Sequence, residues 1–399
     1  MRQWEKGSTP TQLSPLSHNR VGEGYSRMGF RWCSRGRGLF GATRFRDLMS
    51  RPRAVRHLYL ANPAFENVLV AELRAARARP EPLTAGVIAT AQGPLLDPCF
   101  ARQVLPNARA VSGRGPSDVA DAVLSSLHEA SALSLYERGA ELHVFAPDFY
   151  RKGSGPPVPH PLAGRAEAVL DVLEKKIEGR ARKRGIPRRG GAPERLVQVL
   201  LTGHESAYVS DSALERTDPL RAWPARFAAG RAPIEEHRDA PSSAYKKLDE
   251  ALAWLNVMPA EDDVVLDLGA APGGWTFVAL AYGAHVIAFD RAKLDARLEA
   301  HPRVQHLRKD AFTEAPLDEA SWLLCDVIDA PARSLDLVRR ALAQPKMRAV
   351  VVTVKLTRPV DVGVLREAQA LVEGAQGFRG RVKNLVHNKC EVTVMLRRG

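Results

Sequence analysis

A glycine-rich turn between an apolar strand and an apolar helix is the feature that most constrains the fold of this chain. Residues 266–275 read Leu-Asp-Leu-Gly-Ala-Ala-Pro-Gly-Gly-Trp and directly follow the apolar pair Val264 and Val265. The next segment, 276–282, has apolar residues at helical spacing. A buried strand, a tight turn and a helix in that order are typical of an α/β sheet that binds a nucleotide-like ligand at its carboxyl edge.

The turn fits a dinucleotide-binding fingerprint only in part. Ala271 replaces the middle glycine of G-x-G-x-x-G, and Pro272 stiffens the point where a pyrophosphate needs the closest approach. Gly269, Gly273 and Gly274 still allow the backbone to approach a ligand without obstruction by a Cβ atom. The turn alone therefore indicates a nucleotide-like cofactor without specifying which one.

Polar side chains follow the ends of four further predicted strands. The strands and their polar residues are 285–289 with Asp290, 304–307 with Asp310, 322–325 with Asp326, and 349–354 with Lys355. Ligands bind at the carboxyl ends of parallel strands, and an acid about twenty residues past the first glycine accepts hydrogen bonds from ribose hydroxyls. We therefore expect Asp290 to bind the ribose of an adenosine and Asp310 to meet its base. A helix cap or a surface turn is the alternative for each acid taken alone.

From about residue 241 to residue 399 the chain resembles the FtsJ-like class of S-adenosylmethionine-dependent ribose 2′-O-methyltransferases. The Asp-Leu-Gly-Ala-x-Pro-Gly-Gly-Trp turn is the cofactor signature of that class, and its catalytic Lys-Asp-Lys-Glu tetrad occurs here in order. The resemblance implies a Rossmann-like domain that binds S-adenosylmethionine and a tetrad formed by Lys247, Asp326, Lys355 and Glu391. The implied cofactor-binding residues are Gly269, Ala271, Pro272, Gly273, Gly274, Trp275, Asp290, Asp310 and Asp326.

Within that class the chain is most similar to bacterial enzymes that methylate a cytidine of 23S rRNA. Those enzymes have a Pro-Ser-x-x-x-x-Lys-Leu-x-Glu-Ala segment, which is residues 241–251 here, and a terminal Glu-Val-Thr-Val strand, which begins at Glu391. They also have a long N-terminal extension with an RNA-binding THUMP domain. One departure is Ala244, which replaces a serine of the family three residues before the first catalytic lysine. The likeness implies 23S rRNA as partner, either naked or in an assembling large-subunit particle.

The chemistry of ribose methylation explains the residue types of the tetrad. A hydroxyl becomes a good nucleophile only when its proton is removed, and a lysine can remove that proton only when it is partly neutral. We expect repulsion between Lys247 and Lys355 to lower the lysine pKa, with Asp326 and Glu391 orienting the amines. Lys355, at the end of its strand, is the predicted base. The alternatives are a solvated Lys247 beside Lys246 and a structural cross-strand pairing of Glu391.

Other methyltransferase chemistries leave signatures that this sequence lacks. Enzymes that methylate exocyclic amines have an Asn/Asp-Pro-Pro-aromatic motif after the fourth strand, where residues 326–329 read Asp-Val-Ile-Asp. Carbon-5 methylation of pyrimidines needs a reactive cysteine in an electropositive site. Cys325 lies in an apolar strand, which favours a buried structural thiol instead.

The net charge of +13 indicates a polyanionic partner and is concentrated before the catalytic region. Residues 241–399 contain 22 basic and 20 acidic residues, whereas 174–190 contain eight basic and two acidic residues. The candidate RNA-binding residues are Arg182, Lys183, Arg184, Arg188 and Arg189. A solvated helix end and loop is the alternative interpretation of this cluster.

We expect three folded regions and one linker. Residues 57–112 form a small α/β domain, 113–212 a THUMP-like RNA-binding domain, 213–240 a linker and 241–399 the methyltransferase domain. Within the first two we predict strands at 57–60, 141–145 and 195–202, helices at 65–73, 117–127 and 163–178, and a segment 208–210 that pairs back.

Residues 1–56 contain 12 basic and three acidic residues, and we expect a disordered extension or an over-long start before Met49. An RNA-binding tail and a transit peptide are the alternatives. No stretch approaches the roughly 20 apolar residues of a membrane span. Four isolated cysteines indicate reduced thiols, no zinc site and a cytoplasmic protein. We also expect a monomer.

The sequence leaves two rival functions open. One is an FtsJ-like 2′-O-methyltransferase that acts on another rRNA nucleotide or on tRNA. The other is a non-catalytic RNA-binding or ribosome assembly factor, against which the complete tetrad argues.

Overall fold

The α/β pattern of the sequence builds two mixed β-sheets, which are described here from a computed structural model. The described residues are 55–127, 136, 140–148, 160–187, 193–214, 220 and 223–399, all within one compact unit, Arg53–Gly399. The predicted extension 1–56 lies outside them except for its last two residues, and so do Arg188 and Arg189.

The first sheet contains the strands that precede residue 214. Its strands are β1 (Arg56–Leu60), β2 (Glu81–Thr84), β3 (Val87–Ala91), β4 (Gln103–Ser112), β5 (Ala140–Phe145), β6 (Arg195–Leu201) and β7 (Ser206–Ala213), in the order β2-β3-β1-β4-β7-β6-β5. The helices of this region are α1 (Glu66–Ala75), α2 (Pro116–Ser126) and α3 (Ala163–Lys183). The pairing of 208–210 with the preceding strand is confirmed, because β7 lies antiparallel to β6.

Strand β4 joins the two N-terminal segments that the sequence analysis separated near residue 112. Its first half pairs with β1, and its second half pairs with β7. Two buried side chains reinforce the junction, since Gln198 donates to the carbonyl of Val104 at 2.8 Å and Ser210 to that of Pro106 at 2.5 Å. The segments 57–112 and 113–212 therefore share one continuous sheet.

The second sheet carries the glycine turn. Its strands are β8 (Val264–Leu268), β9 (His285–Phe289), β10 (Val304–Leu307), β11 (Trp322–Cys325), β12 (Ala349–Lys355), β13 (Phe378–Lys383) and β14 (Glu391–Arg398), in the order β10-β9-β8-β11-β12-β14-β13. The helices are α4 (Tyr245–Leu255), α5 (Gly274–Ala281), α6 (Ala296–Glu299), α7 (Pro331–Leu342) and α8 (Val362–Glu373). The predicted strands 285–289, 304–307 and 322–325 are confirmed with the same bounds.

The topology of the second sheet places the glycine turn at a point where ligands bind. Strands β8 to β12 are parallel, and β14 and β13 add in antiparallel orientation. The chain winds from β8 towards β10 on one side and from β11 towards β13 on the other. A crevice opens at such a reversal, at the carboxyl ends of the strands. The turn after β8 lies at this reversal.

One element is longer than the sequence predicted. Helix α3 continues to Lys183 instead of ending at residue 178. Ile177 and Ala181 are both buried, so the apolar face extends one more turn, and the basic residues of that last turn, Arg180, Arg182 and Lys183, have good helix propensity. Arg182 and Lys183 therefore lie on a helix rather than in a loop.

None of the helices in the described ranges has the length and apolarity that a membrane crossing requires.

The second half of the predicted linker, residues 223–240, is packed against both sheets. The buried Gln103 side chain donates to the carbonyls of Ala225 and Phe227 at 2.9 and 3.1 Å, and the indole of Trp223 donates to the carbonyl of Leu96 at 2.9 Å. The edges of Phe227 and Trp254 of α4 pack together at 5.7 Å between ring centroids. This segment connects the first sheet to α4.

Candidate active site

Two glycines shape the turn that follows β8. Gly269 and Gly273 have φ angles of +79° and +118°, in the left-handed region that residues with a Cβ atom rarely adopt. A Cβ atom would also lie 2.8 Å from Val327 Cγ2 at Gly269 and 2.2 Å from Leu298 Cδ1 at Gly273. The glycines therefore serve the packing of neighbouring segments as well as the path of the turn.

Asp290 ties the end of β9 to the glycine turn. Its carboxylate accepts the N–H of Ala271 at 3.0 Å and the N–H of Ala292 at 2.9 Å, while the N–H of Gly269 donates to the carbonyl of Phe289 at 2.9 Å. Asp290 therefore lies against the turn, and its binding of the ribose stays a prediction. The carboxylate is half-buried and keeps lone pairs that can accept ribose hydroxyl protons.

Two other predicted cofactor-binding residues, Asp310 and Trp275, already make side-chain hydrogen bonds within the protein. The Asp310 carboxylate accepts the N–H groups of Phe312 and Thr313 at 3.0 and 3.2 Å, so it caps its own turn. Trp275 is buried, and its indole donates to the carbonyl of Ala244 at 2.9 Å. Any contact of Trp275 with a ligand would therefore come from its backbone N–H in the first turn of α5.

The residues around the turn fit S-adenosylmethionine. Helix α5 begins at Gly274, so its first N–H groups have no partner inside the helix and can receive an anionic or polar part of a ligand. The oxygens of Asp290 could accept hydrogen bonds from ribose hydroxyls, and the glycine backbone, which has no Cβ atoms, would allow a close approach of the ligand. Pro272, in the middle of the turn, is exposed.

The structure brings the four tetrad residues into contact. Lys247 Nζ lies 3.0 Å from Asp326 Oδ2 and 2.8 Å from Glu391 Oε1, and Lys355 Nζ lies 2.5 Å from Asp326 Oδ1. Lys355 also bonds to the second carboxylate oxygen of Glu391. Two cations and two anions thus alternate around a ring. We call Lys247, Asp326, Lys355 and Glu391 the charge ring.

Each member of the charge ring is supplied by a different element. Lys247 lies in the first turn of α4, Asp326 directly follows β11, Lys355 ends β12 and Glu391 begins β14. Lys355 and Glu391 are also direct cross-strand partners. Side-chain exposures of 14%, 16%, 17% and 5% in the order of the sequence leave the ring accessible to one small group.

The pKa values in the charge ring correct one sequence expectation. Burial disfavours the charge of Lys247, but the attraction of Asp326 and Glu391 outweighs burial and raises its pKa. We predicted that repulsion from Lys355 would lower the lysine pKa, which is wrong for Lys247. The prediction failed because each lysine contacts two carboxylates and the field at Lys247 is therefore negative.

The pKa of Asp326 is shifted in the opposite direction, downwards. Burial would raise the pKa of its carboxyl, but Lys247, Lys355 and the hydroxyl of Thr353, at 2.8 Å, lower it. A lowered pKa in the folded chain means that this pairing stabilises the fold above the ordinary pKa of aspartate. The stabilisation is lost as the pH falls through the lowered value.

Three residues near the turn and the ring were not assigned by the sequence analysis. Thr353 lies two residues before Lys355 on β12 and so points to the same face, a period-two signal that the sequence does contain. Asp267 accepts the hydroxyl of Thr276 at 2.6 Å, and burial raises its pKa to about 7. This bond ties β8 to α5 beneath the turn.

Cys325 is fully buried, and burial raises the pKa of its thiol to about 12. A thiol in that state holds its proton at neutral pH and is a poor nucleophile. The interpretation of Cys325 as a structural thiol is consistent with this environment. Across the described ranges, no three His, Cys, Asp or Glu side chains are grouped so that they could hold a metal ion.

The candidate RNA-binding residues within the described ranges lie at the end of α3. Arg182 is largely exposed and pairs with Glu178 at 2.5 Å, one turn earlier, while Lys183 is the last residue of the helix and Arg184 follows it. An exposed i,i+4 pair contributes little to stability, so Arg182 can exchange this partner for a phosphate at small cost.

Comparison with known proteins places this site in a family. The FtsJ-like methyltransferase family matches residues 241–373. Ribosomal RNA large subunit methyltransferase M of Alkalilimnicola ehrlichii is 34% identical over 269 residues, which cover 64% of this chain and 72% of that protein. The protein of the same name from Halorhodospira halophila is 34% identical over 211 residues, which cover 52% and 59%.

Among solved structures, one match is TrmN from Thermus thermophilus. It is 19% identical, covers 86% of this chain and 100% of its own, and has a TM-score of 0.30. A score at that level supports no statement about the fold.

Both the matched region and the geometry above place this chain among the FtsJ-like methyltransferases, which use S-adenosylmethionine. With a relative that is 34% identical across 72% of its length, the chain belongs to the ribosomal RNA large subunit methyltransferase M family.

Replacing Asp290 tests the cofactor site. Asp290→Ala removes the carboxylate beside the turn, so S-adenosylmethionine binding should weaken by roughly 1.5–3 kcal/mol, the cost of losing charge-assisted hydrogen bonds. Isothermal titration calorimetry measures the change. Asp318→Ala, which removes an exposed carboxylate elsewhere in the domain, is the matched control and should bind normally. NAD binding of comparable affinity to the unaltered chain would contradict the cofactor assignment.

Proposed function

We propose that the chain transfers a methyl group from S-adenosylmethionine to the ribose 2′-hydroxyl of a cytidine in 23S rRNA. The charge ring beside the cofactor turn is the observation that carries this proposal. The printed name of the relatives supports large-subunit rRNA as the substrate class. The resemblance to enzymes that methylate a cytidine supports the choice of nucleotide and of its ribose hydroxyl.

The ring has the groups that activation of a ribose hydroxyl requires. Asp290 and the first N–H groups of α5 would hold S-adenosylmethionine, which would supply an electrophilic methyl carbon and would retain on sulfur the electron pair of the bond that is broken. We assign Lys355 as the base that takes the hydroxyl proton at Nζ, so that the 2′-oxygen can form its bond to carbon. Asp326 and Glu391 hold the amine by hydrogen bonds and fix its direction.

The two lysines have different roles in this scheme. The raised pKa of Lys247 keeps this residue charged, so it stabilises negative charge that develops on the 2′-oxygen. Lys355 accepts a proton only in its amine form, which leaves one cation facing two carboxylates in the ring. Uptake of the hydroxyl proton by Lys355 restores the neutral balance of the ring. The raised pKa of Lys247 disfavours that residue as the base, and Lys355 ends β12 at the edge of the sheet that carries the cofactor turn.

The N-terminal sheet fits the role of an RNA-binding module. Helices α2 and α3 pack against one another and on β4 to β7, a compact α/β unit that is compatible with a THUMP-like fold. The first 240 residues also carry nearly all of the excess positive charge. We propose that the end of α3, with Arg182, Lys183 and Arg184, contacts phosphates of the RNA, and that the positive charges of Arg188 and Arg189 also contribute to RNA binding.

Of the two rival functions, the charge ring disfavours the assembly factor. A relict fold without activity has no need for four ionised groups at the cofactor edge, because burying them lowers stability unless their geometry is maintained. Another rRNA nucleotide or a tRNA as acceptor would use the same ring, and only the position of the methyl group distinguishes these substrates.

Replacement of Lys355 tests the proposed base. Lys355→Met keeps similar bulk but cannot accept a proton, so methyl transfer to large-subunit rRNA should slow roughly 100-fold or more. Lys355→Arg should fail as well, because a guanidinium stays protonated at any working pH. The rate constant is measured as incorporation of labelled methyl groups in a single turnover. Ribose methylation is verified by alkaline hydrolysis, which cleaves a phosphodiester only where the preceding ribose has a free 2′-hydroxyl. The phosphodiester on the 3′ side of the methylated ribose should therefore resist cleavage.

Lys346→Met removes an exposed lysine of the same domain and serves as the control, with turnover close to that of the unaltered chain. Near-normal turnover of Lys355→Arg, with RNA and cofactor binding intact, would make Lys355 a positioning charge and Lys247 the next candidate for the base. Alkali-sensitive product RNA would instead contradict ribose methylation.

Neutralising the end of α3 tests the RNA-binding surface. Replacing Arg182, Lys183 and Arg184 with glutamine should weaken rRNA binding and flatten its dependence on salt, because fewer counterions are released from the RNA. Binding is measured at several salt concentrations. Cofactor affinity should not change.

The control for this experiment is a triple glutamine variant on the catalytic domain at Arg308, Lys309 and Lys346, which are exposed and carry the same total charge. If both variants lower the affinity equally, the effect is one of net charge. If the α3 variant keeps the original affinity and salt slope, the RNA-binding surface lies elsewhere.

A further inference from the structure

A buried glutamate lies one helical turn beyond Lys247 and takes no part in the scheme above. Glu250 has a relative exposure of 1%, and burial raises its pKa to about 7. Placing an ionisable group in such an environment lowers stability unless the group makes specific bonds. The structure provides those bonds, since the carboxylate accepts the N–H groups of Val386 and His387 at 2.9 and 3.2 Å.

The two N–H groups belong to the segment that delivers Glu391 to the charge ring. Residues 384–390 connect β13 to β14, and Glu391 is the first residue of β14. Within this segment the Asn384 side chain donates to the carbonyl of Glu391 at 2.7 Å, and the N–H of Lys389 donates to Glu391 Oε1 at 3.4 Å. The position of the connection therefore determines the position of the Glu391 carboxylate.

Helix α4 thus contacts the same strand junction at two points. Lys247 and Glu250 are separated by three residues and lie on one face of the helix. Lys247 reaches the Glu391 side chain at 2.8 Å, and Glu250 reaches the backbone that precedes it. A shift of the connection would move Glu391 relative to Lys247 and Lys355 together.

We propose that Glu250 is a positioning residue for methyl transfer, which fixes the 384–390 connection on α4 and thereby sets the location of Glu391 in the charge ring. The inference rests on the proposed function of that ring. Glu250 itself touches neither substrate, so its replacement should lower the rate of the chemical step and leave binding largely intact. Misplacement of reacting groups by about 1 Å costs on the order of 100-fold in rate.

The test uses the full chain with Glu250→Gln, in which the amide preserves shape but can accept only one of the two N–H groups well. The single-turnover rate should fall roughly 10- to 100-fold. Calorimetric affinity for S-adenosylmethionine and the affinity for rRNA should stay within about threefold, since Glu250 belongs neither to the glycine turn nor to the end of α3. Glu250→Asp, which keeps the charge but withdraws it by one methylene, should show the same pattern if the glutamine variant folds poorly.

Asp263→Asn is the matched control, because Asp263 is another buried carboxylate of this domain that accepts bonds from Ser321 and Trp322. Asp263 immediately precedes β8, at the opposite edge of the sheet from the ring. This variant should lose thermal stability but keep its rate at temperatures well below its midpoint. If the Glu250 and Asp263 variants lose the same amount of rate at matched stability, Glu250 has only a general stabilising role. That result would overturn the proposal.

A double variant decides whether Glu250 acts through Glu391. If it does, Glu250→Gln should slow a Glu391→Gln chain by less than about twofold, because residues that act as one unit are not additive. If the rate losses of the two single substitutions multiply in the double variant, the proposal is overturned.

A crystal structure of Glu250→Gln supplies a readout that needs no activity, since the contact between Glu391 and Lys247 should lengthen beyond hydrogen-bond distance. An unchanged contact would also overturn the proposal. If the unaltered chain fails to methylate rRNA, the proposed function fails, and the structural comparison still decides the role of Glu250.

Discussion

Mutual compensation among four poorly solvated charges, one buried and three partly buried, is the constraint on which the catalytic half of this protein depends. An isolated ionised side chain in a poorly solvated site costs several kcal/mol, and removing one partner of a buried pair costs about as much. Lys247, Asp326, Lys355 and Glu391 avoid that cost only because they alternate in sign within hydrogen-bond distance. One helix and three strands must therefore meet at the carboxyl edge of the sheet. The same edge carries the glycine turn, so in the proposed reaction the methyl donor lies next to the groups that activate the acceptor hydroxyl.

Hydrogen bonds also link the catalytic sheet to the N-terminal half of the protein. Lys383, fully buried on β13, bonds to the Asp97 carboxylate and donates to the carbonyls of Pro98 and Ala101 at 2.8 and 2.9 Å. Gln103 fixes the segment that leads to α4. Methyl transfer requires the acceptor to be aligned at near-contact distance, and a flexible joint between the proposed RNA-binding part and the catalytic part would spoil that alignment. These bonds connect the two parts directly.

Local sequence pattern was enough to predict the five parallel strands of the catalytic sheet, because apolar runs that end in a polar residue and a turn are strong local signals. Strand β13 was not predicted, and the members of the charge ring were predicted from the resemblance to the FtsJ-like class. It was not enough for interactions between distant segments. Glu250 on an amphipathic helix looks like a solvated residue, and its burial depends on a connection 136 positions later. The direction of the Lys247 pKa shift was predicted wrongly for the same reason, since spacing along the chain does not reveal which carboxylates contact an amine. The last turn of α3 was missed because its apolar residues are few and its basic residues suggested a loop.

Mapping of ribose methylation across the rRNA and tRNA of cells tests the central claim most directly. The comparison is between cells whose only copy of this protein is unaltered and cells whose only copy carries Lys355→Met. The account predicts that one 2′-O-methyl group, on a cytidine of 23S rRNA, is present in the first cells and absent in the second. Identical maps, or the loss of a methyl group from a base or from tRNA instead, would contradict it.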